Sequence, residues 1–443
     1  MKIAIVGAGI SGLGCAWLLN QQHEITVFEA ADRLGGHSNT VEVAGVPVDT
    51  GFIVYNELNY PNLTRLFDHL RVPTKPSVMS LGVSFDHGRL EYAGDTVAGL
   101  FAQRRNLIKP GFYSMVAEIL RFYRQAPAVL TLAEADSPTL GAYLRENRYG
   151  RRFIHQHLLP MAAAIWSCPP EQMLEFPVTS FVRFCDNHGL LKVSDRPEWR
   201  TVDGGSREYV RRLSASFTDK VRLSTPVQTV RRTGHGVEVT DTKGHMELFD
   251  QVVLACHGDQ AARMLTDTTP GEADILGSFR YQPNRAILHR DPRLMPRRKR
   301  VWSSWNYLAL KCDHPKDASV SVTYWMNRLQ GLEGAPNLFV SLNPLTEPDP
   351  TLVEREFLYD HPVFDQRTMA AQRQLPGLQG DGGVWFCGSY CGWGFHEDGF
   401  AAGLAVARGL GVEPPWQTAP AFAADAVWPL NGEPARTALE DAA

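Results

Sequence analysis

No stretch of this sequence reaches the roughly 18 uninterrupted apolar residues that a helix needs to cross a bilayer, so no membrane span is expected. Charge imbalance is small: 44 Lys and Arg stand against 48 Asp and Glu, a net −4, which gives no reason to expect a nucleic-acid partner. Cysteine is scarce. Seven in 443 residues, odd in number and without paired spacing, do not make a disulfide framework; Cys168, Cys185 and Cys256 sit among apolar neighbours and read as reduced core thiols. There is no internal repeat, and no residue pattern is assigned to a metal. Met1-Lys2 runs straight into Ile3-Ala4-Ile5-Val6 with no small-residue cleavage site after it. The expectation is a cytoplasmic protein, with peripheral contact at the inner membrane face left open. What remains is ordinary globular composition, 44% apolar and 21% charged, in a chain long enough for two to three domains and a deep cavity.

Lys2–Val6 is a short apolar run rich in β-branched residues, the pattern of a buried parallel strand. A glycine-rich turn, a helix-like Cys15–Gln21 and a second strand, Glu24–Glu29, complete one βαβ unit. From Asn62 to Arg200 long amphipathic patterns dominate, such as Phe112–Arg124 and Leu140–Leu144, broken by prolines. Strand signals return at Val221–Leu223, Val227–Val230, Gly236–Thr240 and Gln251–Ala255. An alternating stretch rich in Trp and Tyr, from Arg285 to Leu342, reads as an antiparallel sheet, and Val384–Cys387 as a last buried strand before the helix Gly399–Arg408.

Gly7-Ala8-Gly9-Ile10-Ser11-Gly12 is a GxGxxG, and Glu29 ends the next strand 17 residues after Gly12. Alone the glycines mark any turn; between a buried strand and a helix each has a task. Gly7 permits the tight turn, Gly9 lets the backbone approach a pyrophosphate, and Gly12 lets helix and strand pack closely. The pyrophosphate then meets unpaired N–H groups and the positive end of the helix dipole. Glu29 would accept from ribose hydroxyls and disfavours a 2′-phosphate, so NADP fits poorly. NAD and FAD share this fingerprint. Deciding between them falls to Arg33-Leu34-Gly35-Gly36-His37, where Arg33 can counter the pyrophosphate charge and the two glycines offer unblocked N–H groups, and to Val48-Asp49-Thr50-Gly51-Phe52.

This E-x-x-x-R-x-G-G run with a D-x-G beyond it resembles the flavin amine oxidase and carotenoid-desaturase superfamily, over nearly the whole chain. The resemblance implies non-covalent FAD and an α/β fold: a Rossmann-type FAD-binding domain with an inserted substrate domain of mixed antiparallel sheet plus helices. It divides the chain into FAD-binding parts at 1–61, 200–265 and 380–412, a helical insertion at 62–199, a sheet part at 266–379 and a tail at 413–443. Val202-Asp203-Gly204-Gly205-Ser206 looks like the start of the second FAD segment, and Val227 like the strand residue whose backbone meets the adenine. The last segment is Trp385-Phe386-Cys387-Gly388-Ser389 with Gly392-Trp393-Gly394-Phe395-His396-Glu397-Asp398-Gly399. On it the resemblance puts a second helix N-terminus at the flavin. With Gly7, Gly9, Gly12 and Glu29, the cofactor set is then Ser11, Arg33, Gly35, Gly36, Gly51, Phe52, Val227, Gly388, Glu397 and Gly399.

Two departures matter. Ser389 stands where the family usually has an acid, and His396 where amine oxidases place an aromatic residue by the flavin. The lysine those enzymes hold near the reactive ring has no counterpart either: Lys299, Lys311 and Lys316 are the only lysines between residues 250 and 330. An amine-oxidase reading is thereby weakened. The detail of Phe395–Gly399, Pro160–Ser167 and Trp302–Tyr307 is most similar to a bacterial branch of NAD/FAD-binding proteins associated with modified membrane fatty acids. Trp166, Trp305 and Tyr307 are candidates to line an apolar substrate pocket, although aromatic residues favour sheet cores anyway. His396 is the candidate catalytic group, because an imidazole is easily tuned to exchange a proton near neutral pH; the alternative is that it only fixes the glycine loop. Flavin chemistry asks for an activated C–H, so an acyl substrate should already hold a double bond. The expected reaction is hydride removal from a fatty-acyl lipid, with double-bond isomerisation, amine oxidation and a non-enzymatic scaffold as alternatives; the electron acceptor is left open. Two basic clusters mixed with apolar residues, Arg104, Arg105 and Lys109 beside Leu107-Ile108, and Arg293 with Arg297–Arg300, have the makings of contacts for an anionic membrane surface.

Overall fold

The computed structural model describes residues 1–132, 137–166, 170–310 and 320–416, without the side chains of Pro170 and Glu171. Cys168, Lys311, Lys316 and most of the expected tail lie outside the described residues.

The βαβ unit forms as its pattern requires. Lys2–Val6 pairs in parallel with Glu24–Phe28 on one side and Gln251–Leu254 on the other. Val221–Arg222 and Val384–Phe386 complete a five-stranded parallel sheet, ordered 221–222, 24–28, 2–6, 251–254, 384–386. Ile3, Ala4 and Ile5 are fully buried, because helices cover the sheet and a parallel strand inside such a layer has no wet face. The Ile10–Leu19 helix is buried at every position, and the His396–Gly409 helix packs against it. An antiparallel meander, Val227–Thr233, Gly236–Asp241 and Met246–Phe249, stands beside this sheet.

A second core forms around a seven-stranded sheet ordered 353–363, 280–289, 339–342, 320–325, 305–309, 81–85, 90–93. Its pairings are antiparallel except Trp305–Ala309 with Leu81–Phe85. Here the expectation of a helical insertion at 62–199 is corrected in part. That segment supplies the strands Leu81–Phe85 and Leu90–Ala93 to the large sheet, and Thr74–Ser77 to a small three-stranded one. Both runs into the large sheet are short, and they are joined by a turn at Asp86-His87-Gly88 with positive φ at all three residues, so the longer helical patterns that follow mask them. Those helices, chiefly Pro110–Gln125, Leu159–Trp166 and Val178–Asn187, bury their apolar faces in the second core. The described cysteines are free: Cys185 is buried and Cys256 half-buried.

Candidate active site

One cavity of about 1170 Å³ runs from the C-terminal edge of the parallel sheet to the space between the helices and the seven-stranded sheet. Ligands of open parallel sheets bind at that edge, where strands hand over to loops. Gly7, Gly9, Ser11, Glu29, Gly36, Gly51, Phe52, Val227, Gly388 and His396 line it, and at its other end so do Trp166 and Trp305. Gly12, Arg33, Gly35, Glu397, Gly399 and Tyr307 do not.

At the sheet edge the backbone makes the site. Gly9 is the N-cap of the Ile10–Leu19 helix with no side-chain cap, so the first-turn N–H groups are left for a ligand. A Cβ built on Gly9 meets nothing within 4 Å; one on Gly12 collides with the Gly7 carbonyl oxygen. The first glycine therefore opens space for a ligand, and the second joins helix to strand behind it. Glu29 accepts from Ala8 N at 2.7 Å and Ala31 N at 2.8 Å, which anchors the turn while its carboxylate still faces the cavity. Arg33 corrects the expectation of a pyrophosphate counter-charge. Its guanidinium donates to the carbonyls of Leu34, Gly36 and Ser38, at 3.3, 2.8 and 3.3 Å, and so pins the loop that carries Gly36 to the cavity. Gly35 lies behind that loop, its N–H on Ala8 O at 2.9 Å.

The helix of the last segment begins at His396, three residues earlier than its pattern implied, because Asp398 reaches back to accept from Trp393 N and Phe395 N at 3.0 and 2.9 Å. Glu397 corrects its assignment to the cofactor. Its carboxylate accepts from Asn62 N, Asn62 Nδ2 and Leu63 N, at 2.9, 2.8 and 2.9 Å, and so caps the Pro61–Leu70 helix, whose own N-cap side chain makes no bond. Burial pushes both carboxyls up to about 7. Gly399 packs against Ser11 and Ile10.

His396 stacks face to face on Phe52, centroids 3.8 Å apart, and its Nε2 lies 2.7 Å from Tyr209 Oη and 2.9 Å from Ser38 Oγ, which are themselves hydrogen-bonded. Burial pushes its pKa down to about 3. That direction speaks against the expected proton exchange near neutral pH, and the geometry of this partly buried ring is that of a clamp joining chain segments at the cavity wall.

Sequence reasoning missed several wall residues. His37, His257 and His361 gather there, with ring centroids of His37 6.4 and 5.8 Å from the other two, and burial lowers all three pKa values. His257 follows the Gln251–Leu254 strand and N-caps a helix, a strand-to-helix turn at the ligand edge that was readable in principle. His361 lies on a strand of the other sheet and carries no local signal.

At the far end side chains make the site. Met161, Ile165 and Trp166 come from one helix and Phe184 and His188 from another, opposite Trp305 and Tyr324 of the sheet. Trp166 packs on Phe184 at 4.6 Å, and Trp305 meets Tyr324 edge-on at 5.3 Å. Tyr307 corrects its assignment: about 7 Å further along the strand than Trp305, it is buried in the sheet core beside Phe85. Several wall residues hold buried polar atoms without a partner among the described residues: His157 Nε2, Trp166 Nε1, Trp305 Nε1, Tyr390 Oη and Trp393 Nε1. Such atoms are rare in cores and concentrate at functional sites. No lysine is among the described residues that line the cavity.

An uncapped helix N-terminus over an open glycine, an acid at the end of the second strand and a second strand–loop–helix at the same edge fit a dinucleotide, with a separate sheet and helices closing over whatever it reacts with. The fold and site define a two-part dinucleotide-binding protein. The chain belongs to the flavin containing amine oxidoreductase family, which it matches over residues 10–306, and its cofactor is FAD. Among relatives, it is 29% identical over 259 residues, 56% of this chain and 55% of the other, to a Mycobacterium tuberculosis protein carrying the name flavin-containing monoamine oxidase AofH. It is 28% identical over 173 residues, 31% of this chain and 34% of the other, to the 4,4'-diapophytoene desaturase of Staphylococcus aureus. The chain thus spans about half or less of the length of these relatives. Its fold is similar to that of a fatty acid isomerase from P. acnes, with TM-score 0.61 at 15% identity over 90% of this chain and 96% of that one.

Proposed function

We propose that the protein is an FAD-dependent oxidoreductase that removes a hydride from an activated, allylic C–H of an apolar substrate, a fatty-acyl lipid. The observation that carries this reading is the far end of the cavity, walled by Met161, Ile165, Trp166, Leu190 and Trp305 and holding no described lysine. An apolar wall selects substrate by area and shape, at about 25 cal/mol per Å² removed from water. FAD, when bound, supplies the hydride acceptor. The Gly7–Gly12 turn and Glu29 would hold its pyrophosphate and ribose, Gly36, Gly51, Val227 and Gly388 would take its remaining contacts along the wall, and the Phe52–His396 stack would set the wall where substrate meets the ring. The apolar end excludes water, so the acyl chain lies against that wall without competing solvent.

Amine oxidation is favoured by a different observation, the AofH relative, and isomerisation by the fold of the fatty acid isomerase. One experiment separates them: anaerobic incubation of the yellow protein with a lipid extract, and separately with primary amines. Stoichiometric bleaching by lipid supports the proposal. Lipid product without net bleaching means isomerisation, bleaching by amines alone means amine oxidation, and either result overturns it. Absence of all three identifies a binding protein rather than an enzyme.

A further inference from the structure

The two basic clusters, some 190 residues apart in sequence, meet in the fold. Arg104 and Arg105, in the short helical turn Arg104–Ile108, face Arg298, Lys299 and Arg300 across one open surface depression. A buried carboxylate ties the two runs together. Glu91, fully buried, accepts from Arg297 N at 2.7 Å and Arg298 Nη1 at 2.6 Å. Its own N–H donates to Gln103 Oε1 at 3.1 Å, and its carbonyl accepts from Asn106 Nδ2 at 3.2 Å. The convergence is therefore built, not an accident of loose loops.

The charges it gathers are not neutralised. Several exposed arginines elsewhere are paired, as in Arg231–Glu238, Arg263–Asp259 and Arg285–Glu356. Among the described residues, Arg104, Arg105, Lys109, Lys299 and Arg300 form no ion pair, while Arg298 pairs with Glu91 and Arg293 with Asp291. Burial, and then the charges of Arg105, Arg152 and Arg89, push the Lys109 ammonium below its ordinary range. Repulsion of this kind persists in a protein of net charge −4. Beside it stand side chains that globular surfaces usually withhold: Ile108 is 83% exposed, Val97 76% and Leu107 49%. The surface also adjoins the cavity, because Gly94 and Asp95 line the cavity and the chain passes from them through Thr96 to Val97.

We propose that this surface docks on an anionic phospholipid bilayer, with Arg104, Arg105, Lys109, Lys299 and Arg300 against the head groups and Val97, Leu107 and Ile108 entering the interface. Charge complementarity selects the occupant: unpaired cations mixed with exposed aliphatic groups fit a surface that is negative outside and apolar beneath, whereas an acidic protein would leave the aliphatic groups unused. Docking there sets the cavity rim close to the acyl chains. The proposal does not depend on which reaction the cavity performs.

The test is co-sedimentation of the full flavin-loaded protein with vesicles of phosphatidylcholine alone and with about one quarter phosphatidylglycerol. Binding should be confined to the anionic vesicles and should fall as salt rises past about 0.1 M, where charges are screened within about 10 Å. Arg104→Glu with Arg105→Glu, and separately Lys299→Glu with Arg300→Glu, should each weaken binding at least about tenfold with flavin content unchanged. Reversal of the paired Arg211 and Arg231 should not. Ile108→Ser should weaken the binding that survives at high salt. Should a reversal variant lose its flavin, the neutral pair Lys299→Gln and Arg300→Gln replaces it. Equal binding to neutral and anionic vesicles, binding indifferent to both reversals, or no vesicle binding with retention on an immobilised acidic polypeptide would overturn the proposal. Sedimentation reads no turnover, so failure here is separate from failure of the lipid-oxidation reading.

Discussion

The two ends of the cavity are built by different means. At the sheet edge the wall is backbone, exposed by glycines whose Cβ would either enter the cavity space, as at Gly9, or break the packing behind it, as at Gly12. At the far end it is side chains, Trp166, Phe184, Trp305 and Tyr324, brought from two helices and a sheet. Backbone recognition demands one residue type at a set spacing. Side-chain recognition accepts many combinations of similar volume. The first end therefore suits a cofactor that does not vary, and the second a substrate that can differ between relatives on one fold.

That contrast is open to attack, first at Gly9. Its φ of −75° suits any residue and its Cβ has free space, so Gly9→Val should fold normally yet come off the column colourless. Absorbance per folded protein reads the result, and a fully yellow variant would break the placement of the pyrophosphate. Gly12→Ala should instead fail to fold. At the other end, Trp166→Ala should cost about 3–5 kcal/mol of stability through the cavity it leaves, with flavin per folded molecule unchanged. Thermal unfolding beside flavin content checks this, and parallel losses of both would dissolve the distinction between the ends.

His396 lines the cavity and stacks on Phe52, while Phe395 beside it stacks on Phe184 of the far end. His396→Ala removes the stack on Phe52 and the bond to Tyr209, and should lower FAD affinity roughly tenfold, at about 1–1.5 kcal/mol for one such contact. Because its pKa is pushed down to about 3, the wild-type rate should show no His396 titration near neutral pH. A neutral-pH inflection lost in the variant would restore a proton-transfer role.

A further effect concerns Glu397 and Asp398. Burial pushes both up to about 7 in the folded state, against about 4 when unfolded, so between these values the folded state holds more protons. Stability should accordingly fall as pH rises from about 4 to about 7, then level off. A melting temperature lower by a few degrees at about pH 7 than at about pH 5, with the slope reduced in Asp398→Asn, is the expected record. A rising slope would mean that the N–H groups around these carboxyls outweigh their burial.

Much of the cofactor end was legible in residue order. Gly7, Gly9, Gly12 and Glu29 stand within one βαβ unit, where chain distance and spatial distance agree, and each type answers a local steric or hydrogen-bonding demand. Arg33 and Glu397 were misread for a shared reason. A charged side chain beside a motif reaches several ångströms in any direction, and here each reaches backbone, the Leu34, Gly36 and Ser38 carbonyls for Arg33 and the Asn62 and Leu63 N–H groups for Glu397. The strand Leu81–Phe85 was hidden because its partner Trp305–Ala309 lies more than 200 residues on, and Leu90–Ala93 joins the sheet only through Leu81–Phe85.

By itself the sequence determined the βαβ unit and the glycine turn at the end of a parallel sheet, because only glycine at those spacings lets the chain turn and pack there. Tertiary structure alone decided which aromatic residues share a wall, that His396 is clamped by Phe52 and Tyr209, and that two basic runs form one surface around Glu91. Such neighbours are set by how layers pack, and packing depends on volume and register summed over the whole chain, which no short window of residues contains.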